Sequence, residues 1–111
     1  MHRWIGVLAL LAIMTAAHAQ TFRQFPANGQ IGNLTGGQQL PYPLLQINDQ
    51  TVRLAPGGRI YDQNNRLIVH GALPPAAPVV FVADSNGDVS RIYLLRIDEF
   101  EQLQQRLQRQ Q

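Results

Sequence analysis

Asp84, Asn86 and Asp88 fall at alternate positions, the spacing at which a calcium loop presents its first oxygens. Such a loop also needs glycine at its sixth position and a bidentate glutamate at its twelfth. Val89 and Leu95 stand there, and Asn86-Gly87 between β-rich runs specifies a hairpin turn instead. His70 is the one histidine after the first twenty residues. No second histidine or carboxylate cluster lies near it in sequence to complete a metal site or orient it as a base. Ser85 and Ser90, the two serines, both belong to the hairpin. Pro56-Gly57-Gly58-Arg59 offers a backbone nest beside a cation. It lacks the Gly-Lys spacing of a phosphate loop and no helical pattern follows it, so a structural turn is expected. Glu99 and Glu101 sit at a helix start, where capping and the helix dipole account for them. Neither they nor Asp84 and Asp88 have around them the apolar cleft that glycoside hydrolysis requires. There is no cysteine, which removes thiol catalysis and thiolate metal ligands. The expectation is a non-enzymatic protein with no catalytic, metal or cofactor-binding residues.

The elements that would carry a binding function begin after an export signal. Met1-His2-Arg3 is basic, Trp4–Met14 is apolar, and Ala17-His18-Ala19 is a small-x-small cleavage site. The apolar run falls short of the about 20 residues that span a bilayer. Residues 1–19 are therefore read as a cleaved signal peptide, which makes the chain exported: periplasmic first, secreted as the alternative. The 92 residues that follow suffice for one small domain. They carry eight arginines, no lysine and seven carboxylates, scattered along the chain. No electrostatic footprint for nucleic acid is present.

Residues 20–41, rich in Gly, Gln and Asn, are read as a flexible N-terminal arm in which Gln30 to Thr35 could form a short strand. A β-domain is expected over 42–97. Pro43–Ile47 and Thr51–Leu54 flank Asn48-Asp49, which as a two-residue turn pairs Leu45 with Val52 and Ile47 with Gln50. Pro56-Gly57-Gly58 breaks the chain, Arg66–His70 forms a strand, and residues 71–78 form a proline-stiffened loop. In the last hairpin a two-residue turn pairs Ser85 with Asp88, Ala83 with Ser90, Phe81 with Ile92 and Val79 with Leu94. That register sends Val79, Phe81, Ala83, Ser90, Ile92 and Leu94 to the core. Val80, Val82, Val89, Arg91, Tyr93 and Leu95 then share a second face too apolar for bare solvent. Over 98–111, Phe100, Leu103 and Leu107 recur at helical spacing in a glutamine-rich tail, and Asp98 with Glu101 forms a capping-box pattern. The helix is expected from Glu99 to about Gln108.

Phe25-Pro26-Ala27-Asn28, the run Arg53–Ile60, Asn64-Asn65 and Ile92-Tyr93-Leu94-Leu95 after a signal peptide resemble small uncharacterised exported β-domain proteins of Gram-negative bacteria. The resemblance implies a compact exported β-domain and no activity. The expected fold is mainly β: a small antiparallel, partly open barrel or rolled sheet of about five strands, SH3-like or OB-like, with one C-terminal α-helix. Two readings of the second face stand side by side. Either the helix or the arm packs on it, or Val80, Val82, Arg91 and Tyr93 form a partner-binding surface. The functional expectation is a binding or accessory module for an envelope protein or cell-wall component, independent of the membrane once the signal is removed. The alternatives are a small enzyme or enzyme inhibitor with a groove near His70, and a self-associating structural protein.

Overall fold

The computed structural model describes residues 23–36 and 39–109; the expected signal peptide lies outside them. Among these residues six strands and one α-helix follow in order, with a single 3-10 turn (His70–Ala72) between the fourth and fifth strands: β1 (Gln30–Thr35), β2 (Leu44–Ile47), β3 (Gln50–Tyr61), β4 (Leu67–Ile68), β5 (Ala76–Ala83), β6 (Val89–Leu94) and α1 (Ile97–Arg109). Hydrogen bonds link β2-β1-β5-β6-β3, and an added β2–β3 pairing closes a ring through these five strands, with β4 beyond β3. The sheet is mixed: β3 and β6 run parallel, and the other pairs are antiparallel. With the short β4 set aside, the order β5-β1-β2-β3 is that of a Greek key. The result is a mainly β, partly closed sheet, short of a full barrel, with one C-terminal helix.

The β2–β3 hairpin has the register its sequence specifies, with Leu45 opposite Val52 and Ile47 opposite Gln50. Asn48 and Asp49 adopt φ of 55° and 63°, the left-handed pair that matches a two-residue turn to the twist of the strands. The last hairpin departs from expectation by one residue. Asp84 N–H donates to the Asp88 carbonyl at 2.7 Å, which leaves three residues in the loop. The Asp84 carboxylate accepts from Asn86 N–H at 2.9 Å and Asp88 N–H at 3.0 Å, and Gly87 takes φ of 81°. This is the three-residue alternative, a tight turn followed by a left-handed residue, and it pairs Ala83 with Val89 instead of Ser90. The register shift moves Val89 into the core, while Ala83 is exposed.

Two further expectations are corrected. Pro56-Gly57-Gly58 does not end a strand. It forms a bulge inside the twelve-residue β3, where Ala55–Gly58 stand opposite Ser90 alone. The extra residues bend the strand, and Gly57 supplies φ of 74°. The bend lets one half of β3 pair with β2 and the other with β4 and β6. Likewise, the stretch read as an arm contains β1, which pairs along six residues with β5 and touches β2 at its end.

Inside the ring, Leu34, Leu45, Ile47 and Leu54 meet Ile60, Val79, Val89, Ile92 and Leu94. Leu73, from the proline-rich connection, is fully buried with them. Gly32 on β1 keeps this interior tight, because a Cβ there would fall 2.9 Å from both Ile47 and Phe81 side chains.

Candidate functional site

Alternation along the strands puts the other set of side chains on the outside of the sheet. Cross-strand partners form two rows there. Ile31 on β1 lies opposite Val80 on β5, Val80 opposite Tyr93 on β6, and Tyr93 opposite Tyr61 on β3. Two residues along, Val82 lies opposite Arg91, and Arg91 opposite Arg59. The outer face thus grades from aliphatic at β1 and β5 to aromatic and cationic at β6 and β3.

The aliphatic end is covered. Val80 and Val82 are buried, and Gly29 crosses so close to Val80 that an added Cβ would lie 2.6 Å from its Cγ1. Phe25 meets Tyr93 edge-on at 5.4 Å between ring centroids. Helix α1 supplies the remaining cover, and Leu103 and Leu107 face Val80 and Pro26 across a cleft of about 690 Å³. Val80 and Val82 therefore do not offer the open docking surface considered for them. Both candidate covers, helix and N-terminal segment, are in place.

One ion pair ties these covers down. Arg23 donates through Nε to Glu99 Oε2 at 2.9 Å and through Nη2 to Glu99 Oε1 at 2.8 Å. The same guanidinium donates to the carbonyls of Asp62 and Leu94, each at 2.8 Å. Its cationic centre also lies 5.2 Å from the Phe25 ring. Glu99 is the one buried charged side chain among the described residues, 2% exposed. Burial by itself would push its carboxyl up. The Arg23 hydrogen bonds, the N–H of Arg96 at 3.0 Å and the two nearby guanidinium charges outweigh that, and the group sits below the usual carboxylate range. The bond to Arg96 N–H is half of a capping box with Glu99, not Glu101, at the third helical position. This explains why the helix starts at Ile97, two residues earlier than the Asp98 pattern predicts. Nothing local in the sequence joins Arg23 to Glu99.

The β6–β3 end of the face is different. Tyr61 and Tyr93 stack with centroids 4.9 Å apart and planes 10° from parallel, both half-buried. Arg59 and Arg91 are exposed, paired directly across the ladder, and form no ion pair among the described residues. Arg53, earlier on β3, is by contrast neutralised by Asp88 at 2.6 Å. Like charges placed opposite one another on a sheet are unfavourable by a few tenths of a kcal/mol up to about 1. Of the four residues singled out from sequence, Arg91 and Tyr93 belong to this cluster. Tyr61 was missed and Arg59 was weighed only as the cation beside a backbone nest, because only the parallel β3–β6 pairing brings them alongside.

The other chemical candidates have structural work. His70 Nε2 donates to the Leu44 carbonyl at 2.6 Å, and its ring meets Tyr42 edge-on at 5.6 Å. Asp84 closes its own loop and Asp88 holds Arg53. Among the described residues, no three His, Asp or Glu side chains gather as metal ligands would. No protein-family model, curated protein or solved structure matches the chain.

Proposed function

We propose that this protein is an exported, non-enzymatic binding module of the bacterial envelope that recognises an anionic component through the outer face of β3 and β6. The observation that carries the reading is the un-neutralised Arg59–Arg91 pair beside the stacked Tyr61 and Tyr93. A sheet optimised for stability alone would separate two such charges or give them a carboxylate. A local conflict of this kind is what a binding site leaves in an otherwise consistent fold. Two guanidinium forks a ladder spacing apart suit the oxygens of a phosphate or carboxylate, and the tyrosines add flat apolar surface beside them. His70, held by the Leu44 carbonyl, lends no support to the enzyme alternative.

The test is a heteronuclear NMR titration of the purified chain with inorganic phosphate, a method that reads millimolar affinity. Arg59 and Arg91 side-chain N–H signals are expected to shift together, with Tyr61 and Tyr93 following and the shifts shrinking as salt is added. Arg59→Gln with Arg91→Gln is expected to abolish them while leaving the fold as stable as before or slightly more so, because the like-charge contact is gone. Shifts spread evenly over all the arginines would overturn the reading.

A further inference from the structure

We infer that the open edge of β4 takes an extended acidic peptide segment as an added strand, with a carboxylate of that segment held by Arg59 and Arg91. The inference rests on the anion-binding reading above and adds the chain that carries the anion. Each strand of the five-membered ring pairs with two neighbours, whereas β4 pairs with β3 alone among the described residues. Asp62 N–H donates to the Arg66 carbonyl at 2.9 Å, which fixes the alternation of the β3–β4 ladder. The next hydrogen-bonded pair is Ile60 with Ile68, so Leu67 turns its N–H and C=O away from β3. Val69 stays extended, with φ of −93° and ψ of 162°, and its N–H turns the same way. Its carbonyl accepts from Ala72 N–H at 2.9 Å, which ends the edge there. Leu67 N–H, Leu67 C=O and Val69 N–H are thus three backbone groups that a further extended chain matches in register.

The side chains of this edge belong to the outer face already described. Leu67 lies opposite Tyr61, in the row that continues through Tyr93. Ile68 packs against the core, so Val69 returns to the outer side, beside Arg59 in the row that continues through Arg91. Leu67 is 63% exposed and Val69 74%, two apolar side chains left in water at alternate positions of one edge strand. Edges are ordinarily guarded by charge, which explains the exposed Arg66; Leu67 and Val69 do the opposite. A strand added to β4 sets one residue opposite Val69 and another, two positions away, opposite Leu67. The first is two strand spacings, about 10 Å, from Arg59, a gap that arginine and glutamate side chains extended toward each other close. The second meets Leu67, with Tyr61 behind it. Antiparallel pairing, the more stable kind, gives the segment the order Glu-x-Leu. A second copy pairing β4 with β4 would bring another Arg59, Arg66 and Arg91 to the same edge, so charge selects an acidic partner.

The measurement is an NMR titration of the whole chain with a threonine-rich peptide, capped at both ends, that carries Glu-Thr-Leu. The Leu67 and Val69 amides are expected to shift together with the Arg59 and Arg91 side chains. Glutamine in place of the peptide's glutamate is expected to weaken binding about two- to fivefold, the range of an exposed ion pair. Arg59→Gln with Arg91→Gln is expected to erase that difference. Leu67→Thr, at an exposed position, is expected to erase a similar preference, about two- to fivefold, for leucine over threonine in the peptide. Methylating the peptide's leucine nitrogen removes its donor to the Leu67 carbonyl, leaves the protein untouched and is expected to weaken binding about tenfold. Phosphate shifts at Arg59 and Arg91 with no peptide effect on the β4 amides would overturn the added strand and leave the anion-binding face standing. Silence of both phosphate and peptide at these arginines would overturn both. Equal binding of the methylated peptide would reduce the ligand to its carboxylate and overturn the strand. Shifts of the β4 amides with protein concentration alone would give the edge to a second copy and also overturn the inference.

Discussion

Replacing Arg23 by alanine is expected to cost the fold about 3–5 kcal/mol, the range for removing one partner of a buried ion pair. The loss exceeds that of a surface salt bridge because Glu99 cannot return to water without α1 lifting from the sheet. Arg23→Ala would strand its carboxylate with the Arg96 N–H and a more distant Arg96 guanidinium at 3.8 Å. It would also leave the Leu94 and Asp62 carbonyls without these donors. The effect has a sign that changes with pH. In the natural protein the Glu99 carboxyl is held below its ordinary value of 4.5. Its contribution is therefore present above that value and is lost as pH falls through the lower folded one. Without Arg23, burial dominates and raises the folded value above the unfolded one. The variant's stability then falls as pH rises through and above 4.5. Urea unfolding at pH 4.5 and pH 7.5 is expected to show the gap between natural and variant protein widening at the higher pH. A gap that stays constant would mean that Arg23 acts through packing alone. The double change Arg23→Met with Glu99→Leu is expected to recover most of the loss, since a well-packed apolar pair removes the need for compensation.

What the sequence made legible follows the range of the interactions. The β2–β3 hairpin could be read to the residue, because two adjacent left-handed-tolerant residues and flanking alternation determine it locally. The β5–β6 strands were legible, but the loop between them was not. Asn86-Gly87 favours a two-residue turn, and the competing influence is Asp84, whose carboxylate caps two N–H groups and stabilises the longer loop. That one extra residue decides that Val89 and not Ala83 enters the core. At Pro56-Gly57-Gly58 the same residues that signal a break also permit a bulge, and only pairing on both sides selects the bulge. The site was half legible for a related reason. Arg91 and Tyr93 stand on a hairpin strand whose faces can be read. Arg59 and Tyr61 join them through a parallel contact that no turn in the sequence announces. Arg23 and Glu99, 76 residues apart, had no local signal at all.

The least legible strand, β1, supports the other prediction of large effect. Leu34→Ala is expected to destabilise the protein by about 2–5 kcal/mol, the cost of a leucine truncated in a core that cannot fully close around the gap. An unattached arm would lose nothing at this position. Leu34 is fully buried, and it sits where β1 is paired on both sides, opposite Ala77 on β5 and Ile47 on β2. Asn33 and Thr35 on the outer side and Gln30 at the inward end conceal this in the sequence, because they leave one large apolar inward side chain to carry the pattern, beside a glycine kept small by Ile47 and Phe81. The consequence reaches the proposed site. Ile31, three residues earlier on the same strand, lines the cleft beneath α1, and the segment 25–29, whose Phe25 meets Tyr93, leads directly into β1. A domain of this size has a total stability of roughly 5–13 kcal/mol. Leu34→Ala should therefore remove a large share of it and, at sub-denaturing urea, release the β1 amides to hydrogen exchange before the β2–β3 hairpin amides lose protection. Exchange that rises in all strands together would instead show that β1 is welded into one cooperative unit with the rest of the ring. A stability change below about 0.5 kcal/mol, the range of surface substitutions, would return Leu34 to the solvent and β1 to an arm.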